Sequence, residues 1–551
     1  MRLHLLTLAA CLLLAGIGSL SAALRLPNVF GDHMVVQRDQ EVNVWGWAEA
    51  GAEVKVSLGG GEVTAKADGE GKWSCALPAM EASFEGAELV VTSGSETVTI
   101  KDVLVGELWL CGGQSNMEWS LRGSLEADLE IDSAHYPAIR FLRVPKVAAG
   151  SPQDDFQVPG RGHVGRWQKC IPEQAENCTA VGYYFALRLQ RRLRVPVGLI
   201  DTSWGGTMAQ VWVSEETLRP MPVMKSYFDD YEKALKEWDD GGREEGGKKR
   251  FDADLAAWDE KRKAAEAAGE RAPGGRPNWK NYTDPSTRAH PGGMYNGVLM
   301  PVAPFTVRGA LYYQGENNSF EESWKPFPKT LPAVIADWRK AFDDDELPVG
   351  LIQIAGWSTR RAMSYDQNHH TNVVREVQFL TWQKTPMTGL VVSFDANSDG
   401  NIHPKAKRPV GERAARWALA EVYGIKGRGS EDPLVWRGPV YESASFADGK
   451  ATVSFREDTA AGLRLDKDVA LGFYVAGEDK EWHVAEALVK GREGQVEVWS
   501  EAVPEPVAVR YAISNLPIGS LMNGAELPAY PFRSDRWPIT PHRSTGSYLP
   551  E

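Results

Sequence analysis

Cysteine is scarce in this chain, which has 5 in 551 residues, and no CxxC or HExxH spacing occurs. The sequence therefore predicts neither a metal site nor a cofactor. Basic residues are not in excess either, since the formal net charge is −13. That balance argues against nucleic-acid binding and against tight association with an anionic membrane surface. Beyond the N-terminus no apolar run is long enough for a membrane-spanning helix.

The N-terminus has the features of a secretory signal. Arg2 supplies a short positive region, a largely apolar stretch follows, and Ser21-Ala22-Ala23 fits small-residue cleavage. We predict that residues 1–23 are removed and that the mature protein is secreted or periplasmic. Disulfides are permitted there, and Cys170 and Cys178 are close enough in sequence to pair, although the sequence does not decide whether they do.

The length of the chain predicts several domains. Residues 24–102 alternate in short runs split by glycine turns, which indicates an N-terminal β-sandwich. Residues 103–430 alternate strands with helices, which predicts an α/β core with a parallel sheet. Short runs of alternating apolar and polar residues return over 431–551, which indicates a C-terminal β-domain followed by a tail. The 20 tryptophans fit a β-rich core or sugar stacking, and we favour the core.

Within the core, the predicted strands are Val103–Cys111, Ile139–Val144, Val195–Thr202, Gly309–Tyr313, Val349–Ile354 and Gly389–Phe394, and the predicted helices are Ala180–Arg192, Leu331–Phe342 and Pro409–Tyr423. A charged, alanine-rich segment at about 215–276 interrupts this rhythm. We interpret it as an inserted helical hairpin around a flexible linker from Gly241 to Gly247. A solvated surface is the favoured role for the hairpin, with a lid or an oligomer contact as alternatives.

Four polar segments carry the candidate chemistry. Ser115, Gly205 and Gln314 in three of them, and Asp395 ahead of the fourth, follow the ends of predicted strands, where open α/β sheets bind their ligands. The four segments are Gly113-Gln114-Ser115-Asn116, Ser203-Trp204-Gly205-Gly206-Thr207, Tyr313-Gln314-Gly315-Glu316-Asn317-Asn318 and Asn401-Ile402-His403-Pro404. Acyl transfer needs a nucleophile, a base within reach, and donors aimed at the developing oxyanion. Ser115 offers the hydroxyl and His403 the imidazole. The donors could be the Ser115 N–H, an N–H at Gly205 or Gly206, and the Asn318 amide.

Together these segments resemble the blocks of the sialate O-acetylesterase family of SGNH (GDSL-like) hydrolases. Further matching segments are Ile402-His403-Pro404 with Lys407, Tyr295-Asn296-Gly297-Val298, Arg375-Glu376-Val377-Gln378 and Leu527-Pro528-Ala529-Tyr530-Pro531-Phe532-Arg533. The resemblance implies a three-layer α/β hydrolase core flanked by β-domains, and removal of acetyl esters from sugar hydroxyls. It also implies that Ser115 is the nucleophile, His403 the base, and Gly206 (or Gly205) and Asn318 the oxyanion donors.

One position departs from the wider superfamily, which has an aspartate three residues before the histidine. Here that position is Gly400. Asp399 or Asp395 could turn toward the imidazole, or the backbone carbonyl of Asn401 could orient it and leave a Ser-His dyad. A carbonyl stabilises imidazolium less than a carboxylate does. We slightly favour Asp399.

Substrate contacts are less well defined by the sequence. The candidate substrate-binding residues, each with a structural alternative, are Gln114, Gln314, Glu316, Arg375 and Gln378. The substrate is an acetylated carbohydrate, either sialic acid, whose carboxylate would need a cation such as Arg375, or acetylxylan or another polysaccharide. A carbohydrate-binding surface protein without activity is the non-enzymatic alternative. The sequence does not indicate the oligomeric state.

Overall fold

The computed structural model describes residues 23–270, 274–287, 290–357, 366–397, 400–490 and 494–550. Most of the predicted signal segment and Asp399 lie outside the described residues. Within these ranges, every helix is too short or too polar to cross a membrane.

The N-terminal region is built of β-strands that join the core through one long strand. These strands are β1 Val35–Gln37, β2 Val42–Trp47, β3 Glu53–Leu58, β4 Gly61–Lys66, β5 Lys72–Leu77, β6 Ser83–Ser93 and β7 Glu96–Gly113. The first half of β7 pairs antiparallel with β6, whereas its second half enters the core sheet. Its side chains alternate in exposure at first and are then continuously buried, as expected when a strand becomes covered on both faces. The predicted boundary at 102/103 therefore falls inside a single strand.

The central sheet is mixed. Its further strands are β8 Tyr136–Arg143, β9 Trp167–Cys170, β10 Val197–Asp201, β11 Gly309–Tyr313, β12 Val349–Ile352 and β13 Thr388–Val391. The order across the core is β13-β12-β11-β7-β10-β8-β9, parallel except for β9 at the edge. All six predicted core strands are present. The carboxyl ends of β7, β10 and β11, three neighbours in this order, bring three of the four polar segments to one edge.

The α-helices are α1 Ser115–Glu118, α2 Ala127–Asp132, α3 Pro172–Ala175, α4 Ala180–Leu193, α5 Glu215–Leu218, α6 Lys225–Asp240, α7 Arg243–Ala267, α8 Phe327–Ala341, α9 His370–Lys384 and α10 Arg408–Trp417. The three predicted helices correspond to α4, α8 and α10, displaced by a few residues. Helix α4 packs against α10, and α8 against α9.

The inserted hairpin consists of α6 and α7, and the predicted flexible linker from Gly241 to Gly247 is wrong. Helix α7 already begins at Arg243, so only Gly241 and Gly242 connect the two helices. Gly247 lies inside α7, where a Cβ would come within 2.3 Å of the Tyr282 carbonyl oxygen. The glycine is thus needed for close packing rather than for flexibility.

The C-terminal region contains further small sheets. Its strands are β14 Tyr441–Ala447, β15 Lys450–Phe455, β16 Arg464–Leu465, β17 Phe473–Ala476, β18 His483–Val484, β19 Glu486–Lys490, β20 Gln495–Trp499, β21 Ala508–Tyr511, β22 Leu521–Met522 and β23 Phe532–Arg533. They form antiparallel sheets in the orders β14-β15-β20-β19, β18-β17-β21-β23 and β16-β22. Cys170 and Cys178 are buried free thiols with no disulfide between them.

Candidate active site

Ser115 stands at the carboxyl end of β7, directly after a glycine turn. Gly113 has φ +115°, and a Cβ there would lie 2.2 Å from the Tyr313 carbonyl oxygen. Only glycine fits this crossing of two strand ends. The chain then turns into α1, and Ser115 remains partly exposed. Its Oγ is 2.8 Å from Nε2 of His403, so the two residues that the sequence predicts as nucleophile and base form a hydrogen-bonded pair.

The His403 imidazole is held by packing, and its surroundings favour the neutral ring over the imidazolium. The Trp119 ring stacks on it, with centroids 5.2 Å apart and planes 24° from parallel. Burial, and then the nearby Lys407 cation, lower the pKa of His403, while Glu118 opposes them. A neutral imidazole can accept a proton from Ser115 at neutral pH.

Two backbone N–H groups, that of Ser115 itself and one in the neighbouring glycine loop, are free to donate to a ligand. Within the described residues, the N–H groups of Ser115 and Gly206 have no hydrogen-bond acceptor. The Gly205 N–H, by contrast, donates to Oε2 of Glu118 at 2.7 Å. A Cβ on Gly205 would lie 3.1 Å from Cβ of Ser115, so this loop runs directly past the nucleophile. Of the two glycines that the sequence offers, Gly206 therefore has the free donor.

Asn318 does not offer its amide to Ser115. The side chain is fully buried, and Nδ2 donates to Oε1 of Gln210 (3.2 Å) and to the Ser323 carbonyl (3.0 Å). Its Oδ1 accepts the Ala209 N–H at 2.9 Å. Both N–H groups are thus occupied, which removes the physical basis for its predicted oxyanion role. Asn317 lies nearer to the glycine loop, where its Nδ2 donates to the Gly206 carbonyl at 2.8 Å.

The two glutamines hold the polar segments together. Oε1 of Gln114 accepts from Nε2 of Gln314 (2.7 Å) and from the Asn317 N–H (3.1 Å). Nε2 of Gln314 also donates to the Thr207 carbonyl at 2.7 Å. Both side chains are buried. These contacts favour the structural alternative for Gln114 and Gln314.

A buried polar chain lies beneath the Ser115–His403 pair. Nδ2 of Asn116 donates to Oε1 of Glu316 (2.5 Å) and to the Ile402 carbonyl (2.9 Å). Its Oδ1 accepts from Nζ of Lys407 at 2.5 Å. Asn116 follows Ser115, and Ile402 precedes His403, so one amide ties the Ser115 loop to the His403 loop. Burial raises the pKa of Glu316 and lowers that of Lys407.

The remaining candidates bond to other parts of the protein or lie outside the described residues. Arg375 is buried and donates to Oδ1 of Asn372 and to the Ser514 carbonyl. Gln378 donates to the carbonyls of Gln314 and Ile352. Both are core residues here, so the predicted substrate-facing pair is not formed. Asp395 is bound by Arg413, with oxygens 2.7 and 2.5 Å from its guanidinium nitrogens. Asp399 lies outside the described residues.

Comparison with known proteins identifies the family. A family model described as carbohydrate esterase, sialic acid-specific acetylesterase, matches residues 282–420. A solved structure of a carbohydrate acetylesterase from Xanthomonas citri is 30% identical, with a TM-score of 0.75, and the match covers 94% of this chain and all of that one. The chain belongs to the sialate O-acetylesterase family. It is an esterase.

Curated members of this family extend the match. The sialate O-acetylesterase of Mus musculus is 26% identical over 453 residues, 76% of each chain. That of Homo sapiens is 26% identical over 451 residues, which cover 76% of this chain and 74% of the human protein. The region matched by the family model includes both Asn317 and His403.

Several residues of this esterase's site were not assigned a role from the sequence. The sequence motifs contain Asn116 and Lys407 without indicating a role for either, and Glu118 and Trp119 lie outside the four polar segments. The spacing of Asn116 directly after Ser115, and of Lys407 four residues after His403, was the available signal. Their mutual contact depends on how two distant loops meet, which no local pattern encodes.

Proposed function

We propose that the protein is a secreted carbohydrate O-acetylesterase that works through an acetyl-Ser115 intermediate. The observation that carries the proposal is the 2.8 Å contact between Oγ of Ser115 and Nε2 of His403, at the carboxyl end of the central sheet. Export is supported by the predicted signal segment at residues 1–23. The alternative of a carbohydrate-binding protein without activity does not explain a paired serine and histidine beside open backbone donors.

In the first half-reaction, Oγ of Ser115 attacks the carbonyl carbon of the acetyl ester while Nε2 of His403 takes the hydroxyl proton. The carbonyl oxygen becomes an oxyanion, which the N–H groups of Ser115 and Gly206 stabilise. Each such donor typically contributes about 3 kcal/mol to the transition state. The C–O bond to the sugar then breaks, and His403 returns the proton to the departing sugar oxygen.

In the second half-reaction, His403 takes a proton from water as the water oxygen attacks the acetyl carbon. Collapse of this second tetrahedral intermediate breaks the bond to Oγ, which recovers its proton from the imidazolium, and acetate leaves. No metal is required by these steps. We retain Asp399 as the proposed acid that orients His403, with the Ser-His dyad as the alternative.

The substrate is proposed from the names of the relatives and from the chemistry. Sialate O-acetylesterases and a carbohydrate acetylesterase are the similar proteins, so an acetylated sugar hydroxyl is the proposed ester. Acetate release from O-acetylated sialic acid and from acetylxylan should be measured side by side. Ser115-dependent release from either substrate supports the proposal. Release from neither, despite hydrolysis of 4-nitrophenyl acetate, would contradict the carbohydrate assignment.

The pH dependence of the reaction should report on His403. Because its pKa is lowered, the acid limb of kcat/KM should fall below the ordinary histidine value of about 6.5. Glu118 raises this pKa, so Glu118→Gln should move the acid limb to still lower pH, while the amide oxygen can still accept the Gly205 N–H. A pH–rate profile on 4-nitrophenyl acetate checks both. A limb that shifts upward in Glu118→Gln would contradict this electrostatic account.

A further inference from the structure

A cleft of about 770 Å³ is lined in part by the glycine loop that runs past Ser115, where a Cβ on Gly205 would lie 3.1 Å from Cβ of Ser115. Gly205 and Gly206, together with Trp204, form the end next to Ser115. Ligand sites of this size bury a molecule much larger than an acetyl group. The rest of the cleft is therefore available to the group that carries the ester.

The far wall of the cleft comes from α6 of the insertion and from the segment directly after the insertion. Tyr227 on α6, Asn281 and Thr287 line it. Contacts hold the chain at the two ends of the insertion. The Ser214 N–H donates to Oδ2 of Asp337 at 2.6 Å, and the Tyr231 ring packs edge-on against His290, with centroids 4.9 Å apart. Helix α6, which carries Tyr227, thus also packs against the segment that follows the insertion.

The side chains of this wall suit sugar rings. Trp204 and Tyr227 are half-buried aromatic groups that can cover the apolar face of a sugar ring. The Tyr227 hydroxyl bonds the Gln210 side chain, which in turn accepts from Asn318, so the position of the ring is set from the core. Asn281 is exposed and has an amide that can both donate to and accept from hydroxyls.

We propose that α6 and the segment after the insertion form a subsite for the sugar residues next to the acetylated one, so that the natural substrate is an acetylated oligo- or polysaccharide rather than a free sugar. This inference rests on the proposed function and specifies its substrate.

The charged helix α7 is not part of this subsite. Its ion pairs, such as Lys248–Asp252 at 2.6 Å, are exposed and stabilise the hairpin on its solvent side.

The test compares a substrate that reaches the subsite with one that does not. Tyr227→Ala/Asn281→Ala should lower kcat/KM on acetylated xylo-oligosaccharides at least about 10-fold, a loss of about 1.4 kcal/mol, and change 4-nitrophenyl acetate hydrolysis less than about twofold. Tyr227→Phe keeps the ring but loses the bond to Gln210, so its loss on the oligosaccharide should be smaller than that of the double variant. Lys236→Ala, also on α6 but outside the cleft lining, is the matched control and should change neither substrate.

The outcomes separate this inference from the proposed function. A parallel loss on both substrates in the double variant, or no loss on either, overturns the subsite. Equal kcat/KM for a free acetylated monosaccharide and for the oligosaccharide in wild type also overturns it. Failure of the proposed function has a different signature, because 4-nitrophenyl acetate hydrolysis would then be independent of Ser115 in every variant.

Discussion

Ser115→Ala should reduce kcat for acetyl-ester hydrolysis by roughly four to six orders of magnitude. The variant lacks the atom that forms the acetyl-enzyme, and His403 is then left without its partner at 2.8 Å. The remaining activity would come from binding and from the Ser115 and Gly206 N–H groups, which the substitution leaves in place. Rates on 4-nitrophenyl acetate and on an acetylated oligosaccharide, measured with the same enzyme preparation, check this expectation.

His403→Ala should cause a loss of similar size, and the double variant should be little worse than either single one. Residues that act as one unit show this non-additivity, because the second substitution removes a function that is already lost. Ser120→Ala, in the turn after α1, is the matched control and should keep near-normal activity. Multiplicative losses in the double variant would mean that Ser115 and His403 act separately, contrary to the mechanism.

The second large effect concerns the buried chain of Glu316, Asn116 and Lys407. Glu316→Gln and Lys407→Met should each destabilise the fold by about 3–5 kcal/mol, because either leaves a buried charge without its counterpart. Both should also lower activity, since Asn116 ties the Ser115 loop to the Ile402 carbonyl beside His403. The double variant Glu316→Gln/Lys407→Met should be more stable than either single variant.

The stability of the two single variants, relative to wild type, should change with pH in opposite directions. Burial raises the pKa of Glu316 in the folded protein, so the folded state binds more protons and this group's contribution to stability falls as pH rises. Loss of the Lys407 cation in Lys407→Met raises the pKa of Glu316 further. The free energy of unfolding of this variant should therefore fall further below that of wild type as the pH rises from about 7 to 9. Burial lowers the pKa of Lys407, so the unfolded state binds more protons and this group's contribution to stability falls as pH falls. In Glu316→Gln, the free energy of unfolding should therefore fall further below that of wild type as the pH drops from about 7 to 5.

Urea unfolding midpoints across this pH range provide the measurement, with wild type and the double variant as references. Of the three variants, the double variant should show the smallest change in unfolding stability across this pH range, because both titrating groups are gone. If the two single variants showed the same pH trend, the buried pair would not be the origin of their instability.

The sequence was sufficient for the parts of this fold that depend on local periodicity. Apolar runs such as Gly309–Tyr313 and the pattern of Ala180–Arg192 correspond closely to β11 and α4. The glycine-containing turn after β7 also predicted where Ser115 would stand. These features follow from pattern and backbone sterics, which neighbouring residues determine.

Features that depend on distant contacts were harder to predict. Gly247 lies in the segment for which the sequence predicts a flexible linker, but the residue is inside α7, and the Tyr282 carbonyl, far along the chain, packs closely against it. Asn318 was expected to face Ser115, yet Gln210 and Ser323 occupy its amide. Arg375 has helical spacing from Gln378 that suits a binding pair, but the C-terminal Ser514 covers it. In each case the deciding partner is remote in sequence.

The central claim is that Ser115 carries the acetyl group during turnover. A phosphonate ester that mimics the tetrahedral intermediate should label wild-type protein once, and mass spectrometry should locate the adduct on the peptide that contains Ser115. Labelling should be absent in Ser115→Ala and greatly slowed in His403→Ala. An adduct on another residue, together with Ser115→Ala that still hydrolyses acetyl esters at the wild-type rate, would contradict the account.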